Sequence, residues 1–373
     1  MSEKMYDLVF EGGGAKGAVF VGAMQAFNQR GCTYRRLIGT SAGAITATLL
    51  AAGFTPDELS EAVNEKKGSK SIFASFLDVP EKNFFSDESI QASDTLGMFN
   101  SMNLDSLLFI VSSWIKKNLL DTLLHIPAYR QLFNFVEYGG VFAGEEFRRW
   151  MQGKIQRKGY DPEITLSELY SRTKVDLSLV ASDTTDYNML VLNHRTAPDC
   201  PVAWAVRMSM SIPFIWSEVL WRKEWGTYLG SSIASHRIVD GGLLSNFPIA
   251  LIDKQPSAGS EEEKIMGDES AHAAGTVGLL IDETLRVLGQ PETRKAGFSD
   301  KLKTIQRIDR LVDTMRTSRD NEEVRNNEQL ICHLPAKGYG TTEFDMNDER
   351  RNALIAAGQK AMDAYLDRRK VTE

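Results

Sequence analysis

The sequence predicts an α/β fold, in which a mostly parallel sheet is covered by helices. The prediction rests on the order of elements at the N-terminus. A short β-prone run over 6–10 is followed by a glycine-rich turn at 12–17 and a helical stretch over 18–30. A second short strand over 36–38 leads through a tight turn into another helix, which ends near Gly53. Strands that alternate with helices in this way are typical of a parallel sheet.

Later elements follow from local signals. Thr55 and Pro56 begin a third helix, as its N-cap and its first helical residue. The segment 257–264, SAGSEEEK, is predicted to be a polar surface loop. The region over about 283–373 is predicted to be helical, because apolar residues recur there at helical spacing. Further strands are predicted over 175–183, 188–193, 235–242 and 275–281.

We expect a single domain over 1–373, with a helical insertion at about 66–145. The insertion carries scattered aromatic residues and then a strongly apolar, amphipathic stretch over 103–137. With Lys116 and Lys117 beside an apolar face, that stretch has two interpretations, an interfacial helix and a core helix packed on the sheet.

Composition and charge limit the classes of function. The net charge of −7 argues against a general nucleic-acid binder, so no nucleic-acid partner is expected. The three cysteines are far apart and form no CxxC pair, which indicates a reducing compartment. The sequence has no signal-peptide pattern and no apolar run of about 18 residues. We therefore predict a cytoplasmic protein. No metal-ligand cluster appears in the sequence, and no cofactor is expected.

A serine stands between two glycines where the second predicted strand ends. The residues Gly39, Thr40, Ser41, Ala42 and Gly43 match the pattern GxSxG. On a sharp strand-to-helix turn a serine projects its Oγ into open space, and small neighbours let the backbone pass closely. The N-terminus of the following helix favours nearby negative charge. By itself the pattern leaves two interpretations open, a nucleophile and an N-cap.

A glycine-rich loop precedes the serine turn, and it also has two interpretations. Its residues are Gly12, Gly13, Gly14, Ala15, Lys16 and Gly17, which satisfy GxGxxG. Dinucleotide binding requires a carboxylate at the end of the second strand, where this chain has Leu-Ile-Gly-Thr over 37–40. The favoured alternative is an oxyanion hole, because consecutive glycine N–H groups can point at a developing alkoxide. Lys16 either adds positive charge near an anion or is a solvated surface residue.

An aspartate is the best candidate for the general base. The histidines at 125, 194, 236, 272 and 333 stand in contexts that favour structural or surface roles. Asp240 ends a β-prone run directly before Gly241 and Gly242, which allow a close backbone approach. A carboxylate within hydrogen-bond reach of Ser41 can take its proton directly. The alternative interpretation of Asp240 is an ordinary Asp-Gly turn.

In this order the motifs GGGAKG, GTSAG and DGG resemble those of the patatin-like phospholipases. Two further segments agree, ASDTTD over 181–186 and RMSMSIPFIW over 207–216, and DGGLLSNFP from Asp240 onwards continues as the family's third motif does. The resemblance covers about 5–53 and 175–252. It implies a three-layer α/β/α fold with a central, mostly parallel sheet.

The resemblance also implies roles for individual residues. Ser41 would be the nucleophile and Asp240 the base of a Ser-Asp dyad without histidine. Gly13, Gly14 and Ala15 would lend backbone N–H groups to the oxyanion. The implied activity is calcium-independent hydrolysis of phospholipid or lysophospholipid acyl esters through an acyl-enzyme, with transient contact to the membrane surface.

Other functions remain open at this point. A transacylase would use the same dyad and differ only in the acceptor. A membrane-degrading effector would stay silent until a ligand or partner activates it. An acyltransferase of the acyl-carrier type is disfavoured, because Thr40 stands where that type normally has a histidine beside the serine. A binding-only module, with Ser41 and Asp240 merely structural, is the least favoured.

Overall fold

The computed structural model describes residues 4–96, 120, 122–253, 260–267, 275–291 and 322–372. Three sequence expectations therefore fall outside the described residues: most of the apolar stretch after residue 96, His272, and the helical spacing over 302–315. Within the described part, no helix is both long enough and apolar enough to cross a bilayer.

The described strands and helices alternate along the chain as the sequence predicts. The strands are β1 Lys4–Phe10, β2 Cys32–Thr40, β3 Lys66–Lys67, β4 Lys70–Ser71, β5 Gly140–Phe142, β6 Asp176–Asp183, β7 Asn188–Leu192, β8 Phe214–Trp216, β9 Val219–Leu220, β10 Arg237–Asp240, β11 Thr276–Arg286 and β12 Ile331–Lys337. The helices are α1 Val19–Gln29, α2 Ala42–Ala51, α3 Pro56–Asn64, α4 Ile72–Ser75, α5 Asp87–Gln91, α6 Pro127–Tyr138, α7 Glu145–Arg157, α8 Leu166–Thr173, α9 Val202–Ser209, α10 Ala250–Asp253, α11 Glu261–Met266 and α12 Asp348–Thr372.

A mostly parallel sheet forms the centre of the molecule. Among the described residues it has eight strands, and β12, β11, β1, β2 and β6 are parallel neighbours in that order. Strands β7 and β10 pair with β6 in the antiparallel sense, and β9 pairs with β10. The α/β prediction is therefore confirmed.

Apolar side chains cover both faces of this sheet. On β1, Leu8 and Phe10 belong to the larger core cluster, whereas Val9 belongs to a second cluster. On β2, Leu37 and Ile38 divide between the two clusters in the same way. Because successive side chains of a strand point to opposite faces, the sheet is a buried middle layer, as a three-layer α/β/α fold requires.

One edge of β6 is shared by two strands that meet end to end. Strand β7 occupies the other edge along Leu179 to Asp183. Strand β2 therefore pairs on the free edge, up to Thr40 opposite Val180, and β10 takes over from Asp240 opposite Ala181. The C-terminal ends of β2 and β10 thus converge on adjacent residues of β6. This meeting point is where both candidate catalytic residues are found.

The N-terminus of α3 has the capping arrangement that the sequence predicts. The Thr55 hydroxyl accepts a hydrogen bond from the Glu58 N–H, and the Glu58 carboxylate accepts one from the Thr55 N–H. Pro56 is the first helical residue, where its missing N–H costs nothing.

Helix α12 packs on α1 through closely approaching backbones. A Cβ atom on Gly22 would lie 1.7 Å from the Ile355 carbonyl oxygen, and one on Gly358 would lie 2.1 Å from the Val19 carbonyl oxygen. Only glycine fits at these two positions. The C-terminal helix is therefore an integral part of the layer that covers the sheet.

Two sequence expectations about later segments were wrong in part. The region after 283 is not purely helical, because it contains the end of β11 and all of β12. The buried Cys332, Leu334 and Ala336 alternate in β12 with more exposed residues, which is the period of a strand. The segment 257–264 is not all loop. Ser260 caps α11, whose first turn is acidic and so complements the helix dipole.

The described part of the 66–145 segment contains α4, α5, α6 and three short strands. Strand β5 pairs in parallel with β8, and β3 pairs with β4. The segment is therefore mixed rather than wholly helical. Its treatment as an insertion, and of 1–373 as one domain, stays a prediction.

Candidate active site

Ser41 occupies a strained turn between β2 and α2. Its φ of 52° and ψ of −117° lie in a region that residues with a side chain rarely adopt. The flanking glycines make this turn possible. A Cβ atom on Gly39 would lie 2.4 Å from the Gly43 carbonyl, and one on Gly43 would lie 2.4 Å from the Phe10 carbonyl oxygen. The sequence GTSAG thus folds into the predicted strand–turn–helix.

The Ser41 side chain does not cap α2, although it stands at the N-cap position. The N-cap interpretation is therefore wrong. Its backbone N–H donates instead to the Oγ of Ser209, 3.0 Å away. No hydrogen bond between described residues engages the Ser41 hydroxyl, and the residue as a whole is buried.

Asp240 is completely buried at the end of β10. Its Oδ1 accepts a hydrogen bond of 2.7 Å from the Gly242 N–H, at the start of a short 3-10 turn over Gly241–Leu243. A Cβ atom on Gly241 would lie 2.2 Å from the Val180 carbonyl oxygen, so this glycine permits the close approach to β6.

A single segment at the end of α9 holds the backbones of both candidate residues. Ser209 Oγ accepts the Ser41 N–H and donates to the Val180 carbonyl, 2.6 Å away. The Ser211 carbonyl accepts the Asp240 N–H at 2.9 Å. The sequence indicates a family-like segment here, but it predicts no role for either serine. The sequence signal for this segment is the pair of serines, Ser209 and Ser211, that precedes Pro213.

The glycine loop lies beside Ser41, since a Cβ atom on Gly12 would lie 3.2 Å from the Ser41 Cβ. The Gly12 N–H donates to the Asn246 carbonyl, and the Ala15 N–H donates to the Thr341 carbonyl, each at 2.9 Å. Ala15, expected as an oxyanion donor, is therefore engaged elsewhere. No hydrogen bond between described residues uses the N–H groups of Gly13 or Gly14.

Backbone conformation at Gly14 places the loop against the C-terminal part of the chain. Gly14 has a φ of +55°, and a Cβ atom there would lie 2.2 Å from the Thr341 carbonyl oxygen. Gly17 packs on α2, since a Cβ atom there would lie 2.7 Å from the Ala42 Cβ. The two glycines fix the loop between α2 and the segment that contains Thr341.

Lys16 is neither a solvated surface residue nor a free positive charge beside an anion site, the two interpretations that the sequence left open. Its side chain is buried, and its ammonium forms an ion pair with Glu283 of β11. The pair neutralises the charge that Lys16 was expected to offer an anion. The contact instead fastens the glycine loop to β11.

The described histidines have partners away from this site. His236 contacts Asp183, His333 contacts Asp282 and Glu328, and His125 contacts Lys82. His194 stacks on Tyr170, with ring centroids 3.7 Å apart. Burial lowers the pKa of His194 to about 4. None of these described rings makes a hydrogen bond to Ser41 or Asp240.

The family is decided by a model that matches residues 8–253 and describes a patatin-like phospholipase. The chain belongs to the patatin-like phospholipase family. The match contains all three motifs: the glycine loop, the serine turn and the Asp240 turn. It does not contain β11, β12 or α12.

Two proteins are similar in sequence to this patatin-like chain. The chain is 26% identical to the uncharacterized protein YqhO of Bacillus subtilis over 367 residues, which cover 96% of this chain and 97% of YqhO. It is 23% identical to the probable lipid hydrolase 463L of Invertebrate iridescent virus 6, over 66% of this chain and 63% of the viral protein.

Solved structures with a similar arrangement include VipD from Legionella pneumophila, at a TM-score of 0.43 and 16% identity. That alignment covers 98% of this chain and 67% of VipD. The type III effector protein ExoU aligns at a TM-score of 0.38 and 16% identity, over 98% of this chain and 53% of ExoU.

A buried arginine ties the end of α9 to Ala143, in the 66–145 segment. The Arg207 guanidinium donates to the Ala143 carbonyl at 2.7 Å, to the Ser217 carbonyl at 3.1 Å and to the Ser211 hydroxyl. Burial lowers the pKa of Arg207 to about 10, against the opposing effect of Asp78. A cavity of 930 Å³ adjoins Arg207, but its lining does not include Ser41 or Asp240.

One group of described side chains has the geometry to converge on a metal ion: Asp183, Asp186 and His236. Asp183 Oδ1 already accepts the N–H groups of Thr185 and Asp186, and its Oδ2 contacts His236 at 2.7 Å. These contacts account for the arrangement as a turn at the end of β6.

Proposed function

We propose that this patatin-like protein is a calcium-independent lipid acyl hydrolase with a Ser41–Asp240 dyad. The observation that carries the proposal is the meeting of β2 and β10 on one edge of β6. Thr40, the residue before the strained Ser41 turn, pairs with Val180, and the buried Asp240 pairs with the adjacent Ala181. The family membership and the name of the viral relative favour a lipid ester as the substrate.

In the first half-reaction the Ser41 hydroxyl gives its proton to the Asp240 carboxylate as Oγ attacks the ester carbonyl. The N–H groups of Gly13 and Gly14 stabilise the tetrahedral oxyanion, together with the N-terminal end of α2. Collapse breaks the ester bond. The departing alkoxide takes the proton from Asp240, and the acyl group remains on Ser41.

In the second half-reaction a water molecule gives a proton to Asp240 and attacks the acyl-enzyme. The same glycine loop stabilises the second tetrahedral intermediate. Its collapse releases the fatty acid, and the proton on Asp240 returns to Ser41 Oγ. A transacylase would differ only here, because an alcohol would replace the water.

Access to a membrane lipid is supported by an apolar surface on α6. Leu132 and Val136, four residues apart, are 56% and 50% exposed, and Ile126 at the start of the helix is 50% exposed. Phe133, the residue after Leu132, is buried. This part of the amphipathic segment is an amphipathic helix with an exposed apolar face, which favours the interfacial interpretation over a core helix.

Hydrolysis of a short acyl ester and of phosphatidylcholine or lysophosphatidylcholine vesicles tests the proposal. Ser41→Ala and Asp240→Asn should each lower kcat/KM by at least about 1,000-fold, with unchanged thermal melting. Activity should persist in EDTA. Ser171→Ala, an exposed serine of α8, is the matched control and should retain full activity.

The product distinguishes the variants of the reaction. Mass spectrometry should find free fatty acid, whereas acyl transfer to an added alcohol or second lipid would identify a transacylase. Hydrolysis by pure protein without any additive would remove the need for an activating ligand or partner. A Ser41→Ala protein with more than a trace of activity would refute the dyad.

A further inference from the structure

Asn246 links the turn that follows Asp240 to the glycine loop. The chain leaves Asp240 through the 3-10 turn and crosses the end of β2, where the Thr40 hydroxyl donates to the Ser245 carbonyl at 3.1 Å. It then reaches Gly12 at the end of β1, where Asn246 is 7% exposed. The segment 240–246 thus spans all the candidate catalytic elements.

The amide group of Asn246 has one possible orientation. Its Nδ2 donates to Glu11 Oε1 and to the Gly12 carbonyl, each at 3.0 Å. Both partners are acceptors, so the NH₂ group must face them. The Asn246 backbone carbonyl also accepts the Gly12 N–H. Gly12 is therefore held by Asn246 through both its N–H and its carbonyl.

The amide oxygen lies on the side of Gly12 that adjoins Ser41. A Cβ atom on Gly12 would lie 2.3 Å from Asn246 Oδ1 and 3.2 Å from the Ser41 Cβ, so both border the same small volume. Oδ1 is fully buried and has no hydrogen-bond donor among the described residues. Buried acceptors almost always have a partner in native proteins, so a lone one beside a reactive group calls for an explanation.

We propose that Asn246 is a positioning residue of this site, which holds Gly12 beside Ser41 and keeps the adjoining surface neutral. The inference rests on the proposed acyl transfer, in which negative charge develops at the glycine loop. An amide oxygen there carries only a partial charge and remains an acceptor for a hydroxyl group at the reacting centre. A carboxylate of the same shape would oppose the oxyanion.

Glu11 completes this arrangement. Its Oε2 accepts the Ile281 N–H at 2.6 Å, while its Oε1 accepts the Asn246 amide. The carboxylate therefore anchors Asn246 to β11. An aspartate at position 246 would face the Glu11 carboxylate, lose both hydrogen-bond donors and place charge next to Ser41.

The isosteric substitution Asn246→Asp tests the proposal by kinetics on a soluble acyl ester. We expect kcat to fall about a hundredfold at pH 8, with KM within threefold of the unmodified enzyme. The ratio of unmodified to variant kcat should shrink as the pH falls to 5, because protonation removes the charge at position 246.

A compensating substitution separates the contact from general damage. In the double variant Glu11→Gln/Asn246→Asp, the new amide at position 11 accepts the Ile281 N–H through its oxygen. Its NH₂ group donates to the new carboxylate at position 246. We expect this double variant to recover kcat at least threefold over Asn246→Asp. Absence of recovery would overturn the role of the Glu11 contact.

Two results would overturn the proposal as a whole: a kcat for Asn246→Asp within threefold of the unmodified enzyme, or a ratio independent of pH. If Asn246→Asp does not melt cooperatively, Asn246→Ser replaces it, and an unchanged kcat for that variant overturns the proposal. Ser41→Ala is measured in parallel. If it is active, the proposed function fails, whereas an inactive Ser41→Ala beside a fully active Asn246→Asp defeats only the role of Asn246.

Discussion

The backbone N–H of Ser41 donates to the Oγ of Ser209, and Ser209 passes the contact on to the Val180 carbonyl. A side chain from α9 thus fastens the strained serine turn to β6. Strain at a single residue persists only when its surroundings hold it in place. Ser209 supplies part of that hold from a position 168 residues away in sequence.

Ser209→Ala should therefore damage catalysis more than folding. The substitution leaves two buried backbone groups without their partner, which costs about 1–3 kcal/mol of folding free energy. Because the serine turn loses its anchor, we expect kcat to fall at least about tenfold while KM changes little. Urea denaturation and steady-state kinetics check both values. A fully active Ser209→Ala would contradict the anchoring role, and Ser171→Ala again serves as the control.

Gly14→Ala should distort the glycine loop and lower kcat. A Cβ atom there meets the Thr341 carbonyl oxygen at 2.2 Å, and the φ of +55° disfavours a side chain. Gly31 is the matched control, since its φ of +70° is similar but no atom lies within 4 Å of the added Cβ.

We expect Gly31→Ala to cost about 1 kcal/mol and to keep full activity. Gly14→Ala should lose at least about a hundredfold in kcat, because the Gly13 and Gly14 N–H groups would move. Equal effects of the two substitutions on kcat would argue against an oxyanion role for the loop.

Arg207→Met should destabilise the protein by about 3–5 kcal/mol. The change leaves the Ala143 and Ser217 carbonyls without their donor and the nearby Asp78 without its positive neighbour. The control is Arg222→Met, whose guanidinium is half exposed over the Trp204 ring, 4.4 Å from its centroid. It should cost less than about 1 kcal/mol. Equal urea-unfolding midpoints for Arg207→Met and Arg222→Met would contradict the importance of the buried contacts.

Leu132→Glu should weaken binding to phosphatidylcholine vesicles without lowering the hydrolysis of a soluble short ester. The exposed apolar face of α6 would have to bury a charge at the lipid surface. Gln131→Glu adds the same charge one residue away and is the control. Vesicle flotation measures binding. If Leu132→Glu floats with the vesicles as well as the unmodified protein does, α6 is not part of the membrane-binding surface.

The contact between β11 and β12 should make stability depend on pH in a defined window. The hydrogen bond to Asp282 raises the pKa of His333, and the same contact lowers the pKa of Asp282 to about 2. The stabilisation from His333 is full below its unfolded pKa of 6.5 and is lost as the pH rises through the raised value. The stabilisation from Asp282 is present above 3.8 and is lost as the pH falls towards 2.

His333→Gln should consequently lower the melting temperature more at about pH 5.5 than at about pH 8.5. Differential scanning calorimetry at the two pH values measures the difference. A difference that is equal at both, or larger at the higher pH, would show that the ion pair does not act in this window.

Local elements could be predicted from the sequence because their signals are local. The serine turn needs glycines at two fixed positions, and the helix that starts at Pro56 carries its own capping residues. The same holds for the turn after Asp240, where the close approach to Val180 leaves room only for glycine.

Contacts between distant segments could not be predicted in this way. Nothing near Lys16 indicates that Glu283 neutralises it, and nothing near Ala15 indicates that Thr341 takes its N–H. The shared edge of β6 likewise depends on which strand pairs with which. In β12, the apolar residues Cys332, Leu334 and Ala336 stand at alternate positions, which predicts a strand. The helical spacing of apolar residues before and after this segment favoured a helix instead.

The hydrogen bond from the Ala15 N–H to the Thr341 carbonyl affects the design of shorter fragments of this protein. A fragment cut at residue 253, where the family match ends, would keep every motif yet leave one edge of β1 unpaired and remove Thr341, Glu283 and Ile281. Such a fragment would hold the proposed nucleophile and base but not the residues of β11 and the C-terminal part that contact the glycine loop.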